Sequence, residues 1–88
     1  MHLEPILVFP IVYVLRLEDD CYYVGITTNL NQRLAQHWTG CGAKWTRLHK
    51  PIDVMRVVYQ GNEQATTNEM IAMYGREKVR GGSHTRCE

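Results

Sequence analysis

Cysteine, proline and charge imbalance are all scarce in this sequence. The three cysteines, Cys21, Cys41 and Cys87, form an odd set without a Cys-x-x-Cys pair, which argues against a disulfide scaffold or a structural zinc site. A reducing compartment, cytoplasmic or nuclear, is therefore expected. No stretch approaches the ~20 apolar residues that span a bilayer. The apolar run over residues 6–15 contains Pro10, and no basic leader of the signal-peptide kind precedes it. Ten Lys and Arg against nine Asp and Glu leave a net charge of +1, so the chain is no polybasic binder of nucleic acid or membrane, and no membrane partner is expected. Repeats, low-complexity tracts and linkers are missing too. The 88 residues, 44% of them hydrophobic, suffice for one domain and not for two separate cores. We expect a single domain over residues 1–88, with its core at about 11–75 and a basic tail at 76–88.

The charges that are present are unevenly spread. Arg33, Lys44, Arg47 and Lys50 occupy residues 26–50 without an acidic residue, and Arg76, Lys78, Arg80 and Arg86 face only Glu77 and Glu88 near the end. Between and before these stretches the apolar pattern is that of strands and helices. Residues 11–17 (IVYVLRL) and 21–26 (CYYVGI) are β-branched, aromatic and apolar, with Glu18-Asp19-Asp20 between them, which is a hairpin pattern. A three-residue loop sets Leu17 opposite Cys21, Leu15 opposite Tyr23 and Tyr13 opposite Gly25. Tyr13 and Tyr23 then share a face, roughly 7–8 Å apart on the diagonal, whereas a two-residue turn separates them. Tyr22 points to the other face.

Residues 29–38 space Leu30, Leu34 and Trp38 four apart behind Asn29, a good N-cap, and before Gly40, a natural stop. Arg33 and His37 form a second stripe on the same expected helix. The segment 40–51 (GCGAKWTRLHKP) has no clean period and reads as a basic, aromatic-containing loop with room for one helical turn. Residues 53–59 (DVMRVVY) read as a third strand, and a second helix is expected to start between Asn62 and Thr67 and to end at Gly75. In the tail only Val79 is offered to a core.

Two strand tyrosines, an Arg and a His on one helix, and a Glu on another form a set with a chemical logic. Phosphodiester hydrolysis needs a group to deprotonate water, cationic donors for the phosphate, and commonly a metal on oxygen ligands. Tyrosine or histidine serves the first need, Arg33 the second and Glu69 the third. A single carboxylate suits Mg²⁺, which keeps most of its waters.

In this order and spacing the residues resemble the GIY-YIG endonucleases. Ile11-Val12-Tyr13 resembles the first signature triplet and Tyr23-Val24-Gly25 the second, with the tyrosines ten positions apart. Arg33 follows Gly25 by eight positions and His37 follows Arg33 by four, similar to the family's helix. Ala65 and Glu69 resemble its Ala-x-x-x-Glu segment, and residues 40–51 resemble a variant found in small members. The resemblance covers about residues 11–75. It implies a small α/β (α+β) module, a three-stranded antiparallel sheet flanked by helices, that hydrolyses DNA phosphodiesters with one Mg²⁺ or Mn²⁺. Glu69 would bind the metal, Tyr13 and Tyr23 would sit at the attacking water, Arg33 would contact the scissile phosphate, and His37 would be the supporting or alternative base. Gly25, Lys44, Arg47, His49 and Lys50 are expected to meet DNA. Two departures stand out: Ile26 replaces the Lys or Arg that often follows the second glycine, and the tail lacks the Asn that closes many members.

Plainer readings exist for the same residues. Thr66-Thr67-Asn68-Glu69 fits a capping box, which gives the glutamate no ligand role, and Glu63 is then the fallback carboxylate. Tyr13 and Tyr23 fit ordinary sheet positions, and Arg33 with His37 a solvated helix face. His37, Cys41 and His49 hold zinc-ligand atoms without a fourth partner, so no zinc is expected. Trp38 and Trp45 read as packing residues, with Trp45 left open as a base-stacking platform among Lys44, Arg47 and Lys50. The alternative to an endonuclease is a nucleic-acid-binding module of the same fold without catalysis, and a third reading is an interaction domain without nucleic-acid affinity. No groove-reading helix is recognisable, so specificity is expected from a second subunit, a partner protein or the shape of the substrate.

Overall fold

The β-branched and aromatic run at the start of the chain pairs as its pattern requires. In the computed structural model, which describes residues 9–85, β1 (Ile11–Leu17) and β2 (Cys21–Thr27) form an antiparallel hairpin with Leu17 opposite Cys21, Leu15 opposite Tyr23 and Tyr13 opposite Gly25. This is the three-residue-loop register. Glu18–Asp20 closes it as a 3-10 turn, with Asp19 and Asp20 at φ 64° and 57°, a left-handed conformation that short acidic side chains tolerate better than most. Residues 1–8 and 86–88, which include Arg86, Cys87 and the start of the apolar run, lie outside the described residues.

Helix α1 (Leu30–Trp38) begins as expected, the Asn29 side chain accepting from the Gln32 backbone N–H at 3.1 Å. The basic loop contains one short helix, α2 (Lys44–Leu48), followed by β3 (Pro51–Tyr59) antiparallel to β1, and α3 (Glu63–Tyr74). The cap of α3 is Asn62, whose side chain accepts from the Ala65 N–H at 2.8 Å. The capping box on Thr66 is therefore not formed, and Thr66 and Thr67 are buried inside the helix.

The sheet has four strands rather than the expected three, in the order β3-β1-β2-β4. The addition is β4 (Val79–Gly81), from the tail, which runs parallel to β2. Three residues carry no readable period, so the strand was invisible in sequence. Tyr22 N–H donates to the Lys78 carbonyl at 2.8 Å to start the pairing, and Val79 is fully buried. Arg80, expected in a solvated basic stretch, turns inward instead. It lies 4.2 Å from the Trp45 ring centroid and donates to the carbonyls of Val79 and Arg76 at 2.8 and 2.9 Å, a cation–π contact with its donors satisfied.

Each face of the sheet carries its own core. Under α3 lie Val12, Val14, Tyr22, Val24, Met70 and Val79, with Tyr74 stacked on Tyr22 at 4.1 Å. Under α1 and α2 lie Tyr13, Leu15, Leu17, Cys21 and Trp45, with Tyr23, Leu30 and Leu34 packed on them. The strict alternation of β1 produces this division, because successive side chains point to opposite faces. Trp45 is a packing residue, 7% exposed, with its indole N–H donating to the Tyr22 carbonyl at 3.0 Å. Trp38, also expected to pack, is 45% exposed, and Met73 on α3 is exposed as well. Among the described residues no helix is long and apolar enough to cross a membrane.

Candidate active site

The hairpin register brings Tyr13 and Tyr23 to the face covered by α1, their ring centroids 6.3 Å apart. His37, on the inner stripe of α1, stands over both, 5.7 Å from the Tyr13 ring and 5.1 Å from the Tyr23 ring. The Tyr13 hydroxyl lies 2.7 Å from His37 Nε2, and His37 Nδ1 lies 3.0 Å from Thr46 Oγ1 on α2. Thr46 has one hydroxyl proton, and it is directed at the Ala43 carbonyl at 2.8 Å. Oγ1 therefore accepts from Nδ1–H, which leaves Nε2 unprotonated and accepting from the Tyr13 O–H. This assignment follows from counting donors along the network. Burial, and next to it the Arg33 charge, pull the His37 pKa down to about 4, so the ring is neutral at neutral pH.

Arg33, one turn earlier on α1, donates to Gln36 Oε1 at 2.7 Å, and its positive charge acts on both phenols. Burial lifts the Tyr13 hydroxyl to about 12; neighbouring Tyr23 adds to the rise, Arg33 opposes it, and the Glu63 carboxylate adds a further upward push. Tyr23 is raised as well, by burial first and by Glu63, against Arg33. Tyr13 thus carries its proton at neutral pH and is hydrogen-bonded to a neutral acceptor.

Gly25, expected to meet DNA, is buried beneath Tyr13 instead, where a Cβ would overlap the Tyr13 hydroxyl. That position accepts only glycine without moving the tyrosine. Gly42 does the same for His37, since a Cβ there would overlap Nδ1.

The two carboxylates of α3 have different neighbours. Glu69 pairs with Arg56 of β3 at 3.1 Å, and Arg56 sits opposite Val14, on the face away from Tyr13. Glu63 is the carboxylate whose charge reaches both phenols. The cause is the helix start: capping at Asn62 puts Glu63 in the first turn, directly after the end of β3 that pairs with Ile11. Glu69 lies six residues on, about 9 Å further along the axis and on another side of the helix.

Tyr13, Tyr23 and His37 thus form one cluster. The family pattern of the GIY-YIG catalytic domain matches residues 9–75. The chain belongs to the GIY-YIG family. Its fold is a nuclease fold. A UPF0213 protein of Neisseria meningitidis serogroup C is 47% identical over 55 residues, covering 62% of this chain and 59% of that relative. Another, from Streptococcus pneumoniae, is 38% identical over 68 residues, covering 76% and 67%. A third, from Oceanobacillus iheyensis, is 50% identical over 46 residues, covering 52% and 54%. The chain thus spans about three-fifths of the first of these. No solved structure matches it significantly.

Among the GIY-YIG positions read from sequence, Tyr13, Tyr23, Arg33 and His37 come together. Lys44, Arg47 and Lys50 are exposed on or beside α2, and the ion pairs among the described residues involve none of them. His49 is taken up elsewhere, bonded to Asp19 Oδ2 at 3.0 Å and edge-on to Trp45. Among the described residues no three His, Cys, Asp or Glu side chains are grouped so that they could hold a metal ion together. One carboxylate beside hydroxyls and a guanidinium suits only an ion that takes most of its ligands from water and phosphate, as Mg²⁺ does. Thr46 and Gly42 escaped the sequence reading, which took residues 40–51 as a basic loop and gave neither of them a role. Asn62 followed by an acidic residue was the one legible pointer to Glu63.

Proposed function

We propose that this domain is a metal-dependent endonuclease acting on DNA phosphodiesters. The observation that carries the reading is the Tyr13 hydroxyl held 2.7 Å from the unprotonated nitrogen of a buried, neutral His37, with the Arg33 charge acting on the same phenol. With its pKa near 12, Tyr13 is a poor base alone. It becomes competent when it passes its own proton to His37 Nε2 as it receives one from the attacking water. The water oxygen bonds to phosphorus, the bond from phosphorus to the departing sugar oxygen breaks, and that oxygen takes a proton from solvent. Arg33 stabilises the charge that grows on the phosphate, and Tyr23 flanks the water. Glu63 replaces Glu69 as the proposed ligand of Mg²⁺ or Mn²⁺, an ion that would neutralise phosphate charge. Lys44, Arg47 and Lys50 are proposed as backbone contacts that carry no sequence information. A reducing compartment fits the buried Cys21 and the free, exposed Cys41.

The test is relaxation of supercoiled plasmid across a titration of Mg²⁺ and Mn²⁺. Nicking that EDTA abolishes, and that Arg33→Ala lowers by about 100-fold or more, is the expected result. DNA binding with no metal-dependent product under any condition overturns it in favour of the non-catalytic module. That second reading draws on Ile26, 42% exposed, an apolar residue at the position where the resemblance leads us to expect a Lys or Arg.

A further inference from the structure

Trp38 is the exposed tryptophan, and it borders a hollow that shares His37 and Thr46 with the tyrosine cluster. The hollow has a volume of about 490 Å³ and lies between the end of α1, α2 and the start of β3. Its walls include Trp38, Thr39, Arg47, Lys50 and Glu18, and its floor is formed by His37 and Thr46. Both floor residues are 1% exposed, so they close the hollow from beneath. Neither tyrosine, nor Arg33, lines it. We propose that this hollow binds an unpaired nucleotide of a nucleic-acid strand, with its base against Trp38 and its phosphate on Arg47 and Lys50.

Three observations converge on that ligand class. The volume falls within the ~300–1,000 Å³ of small-ligand clefts. An indole left 45% in water beside two cations that none of the ion pairs among the described residues engages matches the two halves of a nucleotide. Such a pairing of a stacking ring with phosphate-tracking charge is the common means of holding single strands. In a duplex the flat faces of the bases are already stacked on one another, so a base free to lie on the indole belongs to an unpaired nucleotide. Glu18, also in the lining, repels phosphate and can accept from base N–H groups. The proposal rests on the reading of this domain as one that acts on nucleic acid, and it narrows the substrate to DNA with a single-stranded portion, such as a flap, branch or frayed end.

Binding measured in EDTA separates the hollow from catalysis. Fluorescence anisotropy of a labelled oligothymidylate of about ten residues and of a blunt duplex is recorded for the full chain, Trp38→Ala and Trp38→Phe, with folding of each checked by circular dichroism. Trp38→Ala is expected to weaken oligothymidylate binding about tenfold, with Trp38→Phe within about threefold of wild type and duplex affinity unchanged. Charge reversal of Arg47 and Lys50 to Glu is expected to abolish oligothymidylate binding. Equal affinity of wild type and folded Trp38→Ala for the oligothymidylate overturns the proposal, as does thymidine monophosphate competing as well as the strand. Strand binding through Trp38 without plasmid nicking by wild type would uphold the hollow while removing the endonuclease reading. Nicking with no Trp38 effect on binding would do the reverse.

Discussion

At the scale of single residues, the site depends on where one proton sits. Thr46 fixes the His37 tautomer through Nδ1, and the tautomer decides that Nε2 receives the Tyr13 proton. Removing that hydroxyl with Thr46→Val leaves the ring free to rotate or to carry its proton on Nε2. We expect kcat to fall by about tenfold or more at unchanged KM, and Thr46→Ser to restore it. A merely structural loss would move both variants together in thermal unfolding. Gly25 is constrained just as closely. Gly25→Ala places a methyl against the Tyr13 hydroxyl and is expected to cost about 1–3 kcal/mol of stability, read by urea unfolding, together with most of the activity. Tyr13, Tyr23, Arg33 and His37 were legible in sequence because an alternating strand and a helical stripe fix their directions before any tertiary contact is known. Thr46 and Gly42 were not, since they come from an aperiodic loop whose fold is set only when α2 packs on the sheet.

At the scale of elements, the helix start decides which glutamate belongs to the site. Thr66 with Glu69 and Asn62 with Glu63 are both plausible beginnings for α3, and local preference alone does not choose between them. Tertiary packing does: Thr66 and Thr67 are buried against the sheet, and the Thr67 hydroxyl donates to the Glu63 carbonyl at 2.8 Å, as an interior helical residue can. Asn62→Ala should therefore destabilise the domain by about 1 kcal/mol in urea unfolding, whereas Thr66→Ala should show no cap-loss signature in helix content. β4 illustrates the opposite limit. Its three residues gain their place only through β2 and through Gly81, where a Cβ would overlap the Val24 carbonyl and crowd Thr67 Oγ1. The same strand brings the tail to α3, with the Ser83 N–H donating to Gln64 Oε1 at 2.8 Å, next to Glu63.

At the scale of the whole molecule, folding and the site share the buried His37. Its pKa in the folded chain, about 4, lies below the ordinary 6.5, so the unfolded chain takes up the proton first as pH falls. The contribution of His37 to stability is complete above about pH 6.5 and is lost progressively toward pH 4. Urea midpoints measured across that range are expected to fall for wild type and to fall less steeply for His37→Gln. Both cores meet on the same central β1. Convergence of the tyrosines, Arg33 and Glu63 is the central claim, and the two glutamates on α3 test it most directly. Plasmid nicking at saturating Mg²⁺ is measured for Glu63→Gln and Glu69→Gln, each shown to be folded. Glu63→Gln is expected to lose about 100-fold or more in rate, with Glu69→Gln within about threefold of wild type. Loss of nicking in Glu69→Gln together with full activity in Glu63→Gln would contradict it.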